Sequence, residues 1–311
     1  MTGLVTDAMM AEAVTAAGFA MADVVADGPA ALASPSYKAL ESRSVLTADA
    51  FIKRMHPEMR GTFNLGAAFQ AARDASSAGV GPKVFWSDEG LAAIAMDRLG
   101  QGWITARQND LQSDAVMTSA VKALKKLHAG PVLDHRFDPF AEIDHLIATY
   151  RADGLALPDN IGWLRSLVWM AKGLSDSAEL RPCRNDGSSS NLMIGPEGQV
   201  MLVDFDRAGM NDPLYDLGCL LAERTDHEIE MRPAFEAYVG HFDEVAFARA
   251  RLWSHVGDML HALWSGLMAH KSERRAVEWI KYGEWRLLRL TMALQHPLFE
   301  ERVRLTAKGA A

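Results

Sequence analysis

The sequence predicts an α+β chain of two lobes: a small sheet lobe over residues 1–99 and a larger, mainly helical lobe over residues 100–311. Two observations carry this. Before Leu99-Gly100, short β-like runs flank one helix-like run, and a small sheet with a single covering helix reads as an α+β lobe. After it, apolar residues recur at helical spacing almost to the end. The boundary falls near residues 98–102.

In chain order, residues 5–25 read as a helix rich in Ala and Met, stopped by Gly28, Pro29, Ser34 and Pro35. Ser44–Thr47 and Ala50–Arg54 form a first pair of strands. A helix over Gly61–Ser77 follows, closed by Gly79 and Pro82. Val84–Trp86 and Ala92–Asp97 make a second pair about a turn at Ser87–Gly90. Helices are then expected at Ser113–His128, Asp138–Ala152 and Asn160–Ser175. A hairpin interrupts them, with Asn191–Ile194 and Val200–Asp204 around the turn Gly195–Gly198. From Asp216 onward the pattern is helical again, with Trp253, Trp264 and Trp285 spread along it.

Composition narrows the function. A net charge of −8 argues against a nucleic-acid partner, which would select a basic face. The two cysteines, Cys183 and Cys219, have neither metal-ligand nor disulfide spacing and read as buried thiols in a reducing cytoplasm. Asp7, Glu12, Asp23 and Asp27 interrupt the N-terminal apolar stretch, so it does not read as a signal peptide. No run reaches the ~18 apolar residues of a membrane span. A soluble cytoplasmic protein without membrane or nucleic-acid partners is the expectation.

The chemistry concentrates in Arg181–Glu223. Asp186 lies in a polar loop, Asn191 follows at the start of one hairpin strand, and Asp204 ends the other. A hairpin brings its two ends together, so Asn191 and Asp204 can converge on one ion. A carboxylate and an amide oxygen suit Mg²⁺, which keeps waters and phosphate oxygens as further ligands. Asp186, one loop away, can accept a proton from a substrate hydroxyl or orient it. Singly, each is an ordinary turn residue; the spaced set is what points to chemistry.

This stretch resembles the catalytic and metal-binding segment of the choline/ethanolamine kinase and aminoglycoside phosphotransferase families, which share the protein-kinase-like fold. The tail Ala208-Gly209-Met210-Asn211-Asp212-Pro213-Leu214-Tyr215-Asp216-Leu217 is similar to theirs. So are Phe51-Ile52-Lys53-Arg54, Gly79-Val80-Gly81-Pro82-Lys83-Val84, Leu127-His128 and Phe137-Asp138-Pro139-Phe140, and the resemblance spans residues 40–295. It implies an ATP- and Mg²⁺-dependent transfer of the γ-phosphate to a hydroxyl of a small molecule, such as an amino alcohol or amino sugar. Asp186 would be the catalytic carboxylate. Asn191 and Asp204 would hold Mg²⁺ and the phosphates, Lys53 would contact the α- and β-phosphates, and the base would bond the backbone near Met96, Asp97 and Leu99. The alternative is a pseudokinase that binds nucleotide or a partner without turnover.

Three features depart from the family pattern. Arg184 replaces the loop histidine and joins Asp186 as a catalytic-loop candidate, able to pair with Asp204 or Asp206 or to reach a phosphate. The N-lobe helix offers Ala68 and Gln70, with Asp74 a turn later, where a glutamate partner for Lys53 is expected. The phosphate-covering loop, near residues 32–43, lacks glycine, leaving Ser34 and Ser36 as donors. For the acceptor, aromatic faces with nearby carboxylates can bind an ammonium group. Asp206, His261, Trp264 and Trp285 are the candidates, with Asp258 and Glu284 as further sources of charge.

Overall fold

The computed structural model describes residues 3–29, 39–176 and 179–308. Helix α1 (Asp7–Ala16) is followed by strands β1 (Ala26–Asp27), β2 (Ser42–Leu46) and β3 (Ala50–Met55), helix α2 (Leu65–Ser77), then β4 (Val84–Asp88) and β5 (Ala93–Asp97). These strands form one antiparallel sheet of order β1-β2-β3-β5-β4. β6 (Ile104–Thr105) leads into α3 (Asp114–His128), α4 (Pro139–Ala152) and α5 (Ile161–Val168). Next come β7 (Arg181–Cys183), the hairpin β8 (Leu192–Ile194) and β9 (Val200–Leu202), and β10 (Gly209–Asn211), which pairs with β7. Five helices finish the chain: α6 (Pro213–Arg224), α7 (Glu228–Val239), α8 (Glu244–Lys271), α9 (Trp279–Leu294) and α10 (Phe299–Lys308). The expected α+β architecture is what the chain adopts.

Side-chain caps set many of the helix starts. Asn64, Ser113, Asp138, Asp212 and Asp243 each accept a backbone N–H from the first turn of α2, α3, α4, α6 and α8, and Pro139 and Pro213 supply a pre-set φ at the first position. Three cores result. One joins α2 and the sheet edge to α3, α7 and the β8–β9 hairpin, through Ala72, Ile94, Leu124, Leu202 and Phe235. A second fills the helical lobe around Trp253, which meets Phe140 and Tyr215 through tilted and edge-on ring contacts. The third seats Met10 and Val14 of α1 on Val45, Ile52 and Ala95, so the N-terminal segment covers the outer face of the sheet.

Several expected boundaries move. The helix foreseen over residues 5–25 stops at Ala16, where Gly18 turns left-handed (φ 91°), and a short 3₁₀ turn replaces its second half. α2 begins at Leu65 because Gly61 (φ 80°) sits in the preceding turn and Asn64 caps the helix. The helix expected at Asn160–Ser175 is α-helical only to Val168 and tightens to 3₁₀ beyond it. Asn191 lies in a 3₁₀ turn just before β8, and Asp204 two residues past β9. Of the phosphate-covering loop, residues 32–38, including Ser34 and Ser36, lie outside the described residues. No helix among the described residues is long and apolar enough to cross a membrane.

Candidate active site

The hairpin does bring its ends together. The Val203 N–H donates to the Asn191 carbonyl (3.1 Å), so Asn191 and Asp204 stand side by side where the strands run out. Asp204 adopts a left-handed backbone (φ 62°), an uncommon state for a non-glycine residue and one that re-aims its side chain out of the strand. Asp186 follows Asn185, also left-handed (φ 59°). One Asp186 carboxylate oxygen accepts from the Ser188 N–H (2.7 Å) and the other from the Asn191 amide nitrogen (2.6 Å), leaving the Asn191 oxygen as an acceptor.

The loop carrying Asp186 is fixed from beneath. The two oxygens of buried Asp216 accept the N–H groups of Arg184 (2.7 Å) and Asn185 (2.6 Å). One of them also meets His128 (3.1 Å), which contacts the Tyr238 hydroxyl on its other nitrogen (2.6 Å). Asp216, His128 and neighbouring Cys183 could outline a metal site, but the Asp216 oxygens are engaged by these bonds, and the group braces the loop. Gly187 is required here, because a Cβ would stand 2.5 Å from the backbone of Cys219 on α6.

Arg184 is placed differently from the expectation. Its fully buried guanidinium donates to the carbonyls of Asn191 (2.6 Å), Val203 (3.2 Å) and Asp186 (2.5 Å). It therefore ties the Asp186 loop to both strands of the hairpin. It makes no ion pair with Asp204 or Asp206 and has no exposed edge with which to reach a phosphate, so it is a positioning residue rather than a catalytic one.

Lys53, on the central strand β3, finds a partner without a helix glutamate. Its ammonium donates to Asp204 (2.7 Å) and Asp206 (2.8 Å). Burial opposes its charge, but the two carboxylates outweigh that and raise its pKa. Gln70 of α2 instead bonds Asp74 (2.9 Å) on the outer surface. Burial and the repulsion of Asp204 lift the Asp206 carboxyl to about 6, Lys53 acting against both. Glu41, unforeseen from sequence, faces the same cluster, and burial followed by Asp204 pushes it up to about 8. Carboxyls crowded enough to hold protons near neutrality are what a divalent cation would discharge. The hard oxygens of Asn191 and Asp204 therefore fit Mg²⁺.

The Lys53 ammonium, the carboxyls around it and the Asp186–Asn191 pair line one cavity of about 1050 Å³ between the lobes. Lys53, Asp186, Asn191, Asp204, Asp206 and Glu41 form its polar wall. Phe51, Ala72, Ile94 and Met96 form an apolar wall beside Asp97 and Leu99. The N–H groups of Asp97 and Arg98 already donate to Lys83 and Asp49, so a base seated here bonds elsewhere on this segment. His261, Trp264 and Tyr282 close the far end. His261 holds the Gly257 carbonyl at Nδ1 (2.8 Å), and burial keeps it neutral, its pKa far below the ordinary value.

Trp285 does not join them. It lies over Arg286 and Arg289 and borders a separate surface hollow with Gln112, Arg224 and Met292, while Tyr282 of the same helix takes the cavity side. Asp258 is likewise spent, paired with Arg286 (3.1 Å) and Arg289. Glu284 is exposed and is not part of the cavity lining. Both thiols are buried and pushed well up in pKa, so neither is poised to react.

A two-lobed kinase-like fold with a lysine, a loop aspartate and an Asn/Asp hairpin around one cavity defines an ATP-dependent small-molecule phosphotransferase. The chain belongs to the phosphotransferase enzyme family, whose model matches residues 41–253. It is 23% identical over 225 residues to protein LicA of Haemophilus influenzae, an alignment covering 68% of this chain and 79% of that one. Among solved structures, a choline/ethanolamine kinase family protein from Mesorhizobium loti superposes with a TM-score of 0.80 at 22% identity, covering 97% of this chain and 100% of that one. A structure of LicA in complex with AMP gives 0.67 at 17% identity, over 82% and 87% of the two chains. At these identities the structural likeness establishes the fold.

Proposed function

We propose that this phosphotransferase uses Mg²⁺ with ATP and phosphorylates a hydroxyl of a small metabolite, amino alcohols and amino sugars being the first acceptors to test. The observation that carries the reading is the meeting of Asp186, Asn191, Asp204 and Lys53 on one cavity through bonds of 2.6–2.7 Å. A nucleotide-bound relative and a choline/ethanolamine kinase family relative support it.

Bound at Asn191 and Asp204, Mg²⁺ would neutralise charge on the phosphates. The rest falls to the chain. Asp204 and Asp206 hold the Lys53 ammonium in place for the α- and β-phosphates. The apolar wall around Ile94 and Met96 excludes water from the base. Asp186, its carboxylate fixed by Ser188 and Asn191, orients the acceptor hydroxyl and takes its proton on a carboxylate oxygen as the hydroxyl oxygen bonds the γ-phosphorus and the bond from that phosphorus to the bridging oxygen breaks, ADP leaving with the electron pair. Such transfer needs positioning and charge placement more than covalent chemistry. A turnover-free reading loses its two grounds, since Lys53 has its carboxylate partners and Arg184 braces the loop.

Asp186→Asn tests this. It keeps an acceptor for the Ser188 N–H but removes the base, so acceptor phosphorylation should fall ~10²–10⁴-fold while Mg-ATP still raises the unfolding temperature. Turnover that survives the substitution would remove Asp186 from the mechanism.

A further inference from the structure

His261 is held in a single tautomer where the far end of the cavity closes. It lies on α8, lines the cavity and is 7% exposed. A carbonyl oxygen can only accept, so the Nδ1 that meets the Gly257 carbonyl at 2.8 Å carries the ring proton. In a neutral imidazole the other nitrogen is then an acceptor. Burial, followed by the charges of Arg286 and Arg207, keeps a second proton off the ring.

The lone pair on Nε2 has no donor. Among the described residues it makes no hydrogen bond, yet it is not closed off as the unpartnered Nε2 of His255 is. Tyr282, whose ring stands edge-on to His261 with centroids 6.4 Å apart, turns its hydroxyl to the Arg286 guanidinium and accepts from it (3.0 Å). A half-hidden acceptor without a donor is costly, and a molecule seated at this end either supplies the donor or shuts the lone pair away from water. Only a group with hydrogen on nitrogen or oxygen can supply it. Primary, secondary and tertiary ammonium groups have one, and so does a second hydroxyl. A quaternary ammonium has none and would press methyl groups on the lone pair.

We infer that His261 is a specificity-determining residue of the acceptor site, and that the acceptor, beside the hydroxyl it presents to Asp186, carries an N–H or O–H that donates to His261 Nε2. This rests on the phosphotransfer reading and narrows its acceptor class: alcohols without such a second donor are discriminated against.

The test is coupled ADP release at saturating Mg-ATP with two sets of acceptors. The charged set is ethanolamine, methylethanolamine, dimethylethanolamine and choline, of which only choline lacks an N–H. The neutral set is ethylene glycol and its monomethyl ether, of which only the ether lacks a second O–H. In wild type, at least one donor-bearing compound should exceed its donor-free partner about tenfold or more in kcat/KM, from the loss of a hydrogen bond at a site that then stays unpaired. In the charged set the drop should fall at the third methylation, since the first two leave an N–H. Which set shows the drop tells an ammonium donor from a hydroxyl. His261→Leu should flatten it, through acceptor KM more than kcat, and His261→Gln, whose amide oxygen accepts, should keep part of it. The inference is overturned if neither donor-free compound falls below its partner in wild type, if activity declines evenly with each methyl as steric crowding would make it, or if His261→Leu keeps the wild-type ranking. Protection of wild type by Mg-ATP against thermal unfolding reports separately on the phosphotransfer reading, since no acceptor is present.

Discussion

Replacing Arg184 by methionine removes a buried guanidinium that holds three carbonyls at 2.5–3.2 Å. Each such bond contributes about 1 kcal/mol net, and the acceptors left behind in a fully buried site lose their only charged donor. A loss of ~3–5 kcal/mol of stability follows, or roughly 6–10 °C in unfolding temperature at about 2 °C per kcal/mol for a chain of this size. The same substitution frees the Asp186 carbonyl and the ends of the hairpin. A displacement of about 1 Å there should cost ~10²-fold in kcat. Differential scanning fluorimetry and a coupled ADP-release assay read the two effects. Arg184→His, which shortens the arm but keeps a donor, should recover part of both. A methionine variant within ~1 °C and twofold of wild type would refute the idea that Arg184 staples the loop to the hairpin.

Lys53→Met leaves Asp204 and Asp206 without their shared cation. The KM for ATP should rise ~10–100-fold, from the loss of a charge-assisted contact of about 1.5–3 kcal/mol, and steady-state kinetics at saturating acceptor checks it. Acid should weaken the fold through His56, which accepts the Val5 N–H (3.1 Å) and is lowered to about 4 by burial and then by Arg274. A histidine depressed in the native state adds stability that is complete above its unfolded value of 6.5 and lost as pH falls toward 4. The loss amounts to about 3 kcal/mol. His255 and His261, both lowered by burial, act with the same sign. His56→Asn, whose amide oxygen can replace Nδ1, should flatten the unfolding temperature between pH 6.5 and 4.5; a slope unchanged from wild type would contradict it.

Much of the site is legible because it is local. Asp186, Asn191 and Asp204 sit on one loop and one hairpin, and hairpin geometry alone brings them together. Lys53 reads from its place on a strand facing the cleft. What escapes depends on distant packing. Glu41 reaches the cavity through tertiary approach, with no motif to mark it. Arg184 reads as a free cation until the fold buries it under three carbonyls. Trp285 shares an aromatic-rich helix with Tyr282, but the helix turns it to the outer hollow. The N-terminal helix is over-extended in the sequence reading because alanine and methionine continue past Ala16, while Gly18 takes a left-handed turn.

Thermal unfolding with and without Mg-ATP, in wild type and in Asp204→Ala, bears most directly on the hairpin as the place where metal and phosphates are held. At ligand a hundredfold above Kd, binding stabilises the native state by about 2.7 kcal/mol, or roughly 5 °C here. Wild type should show that rise only with Mg²⁺ present, and Asp204→Ala should lose it. A full Mg-dependent rise in Asp204→Ala would mean that the metal and the phosphates bind somewhere else.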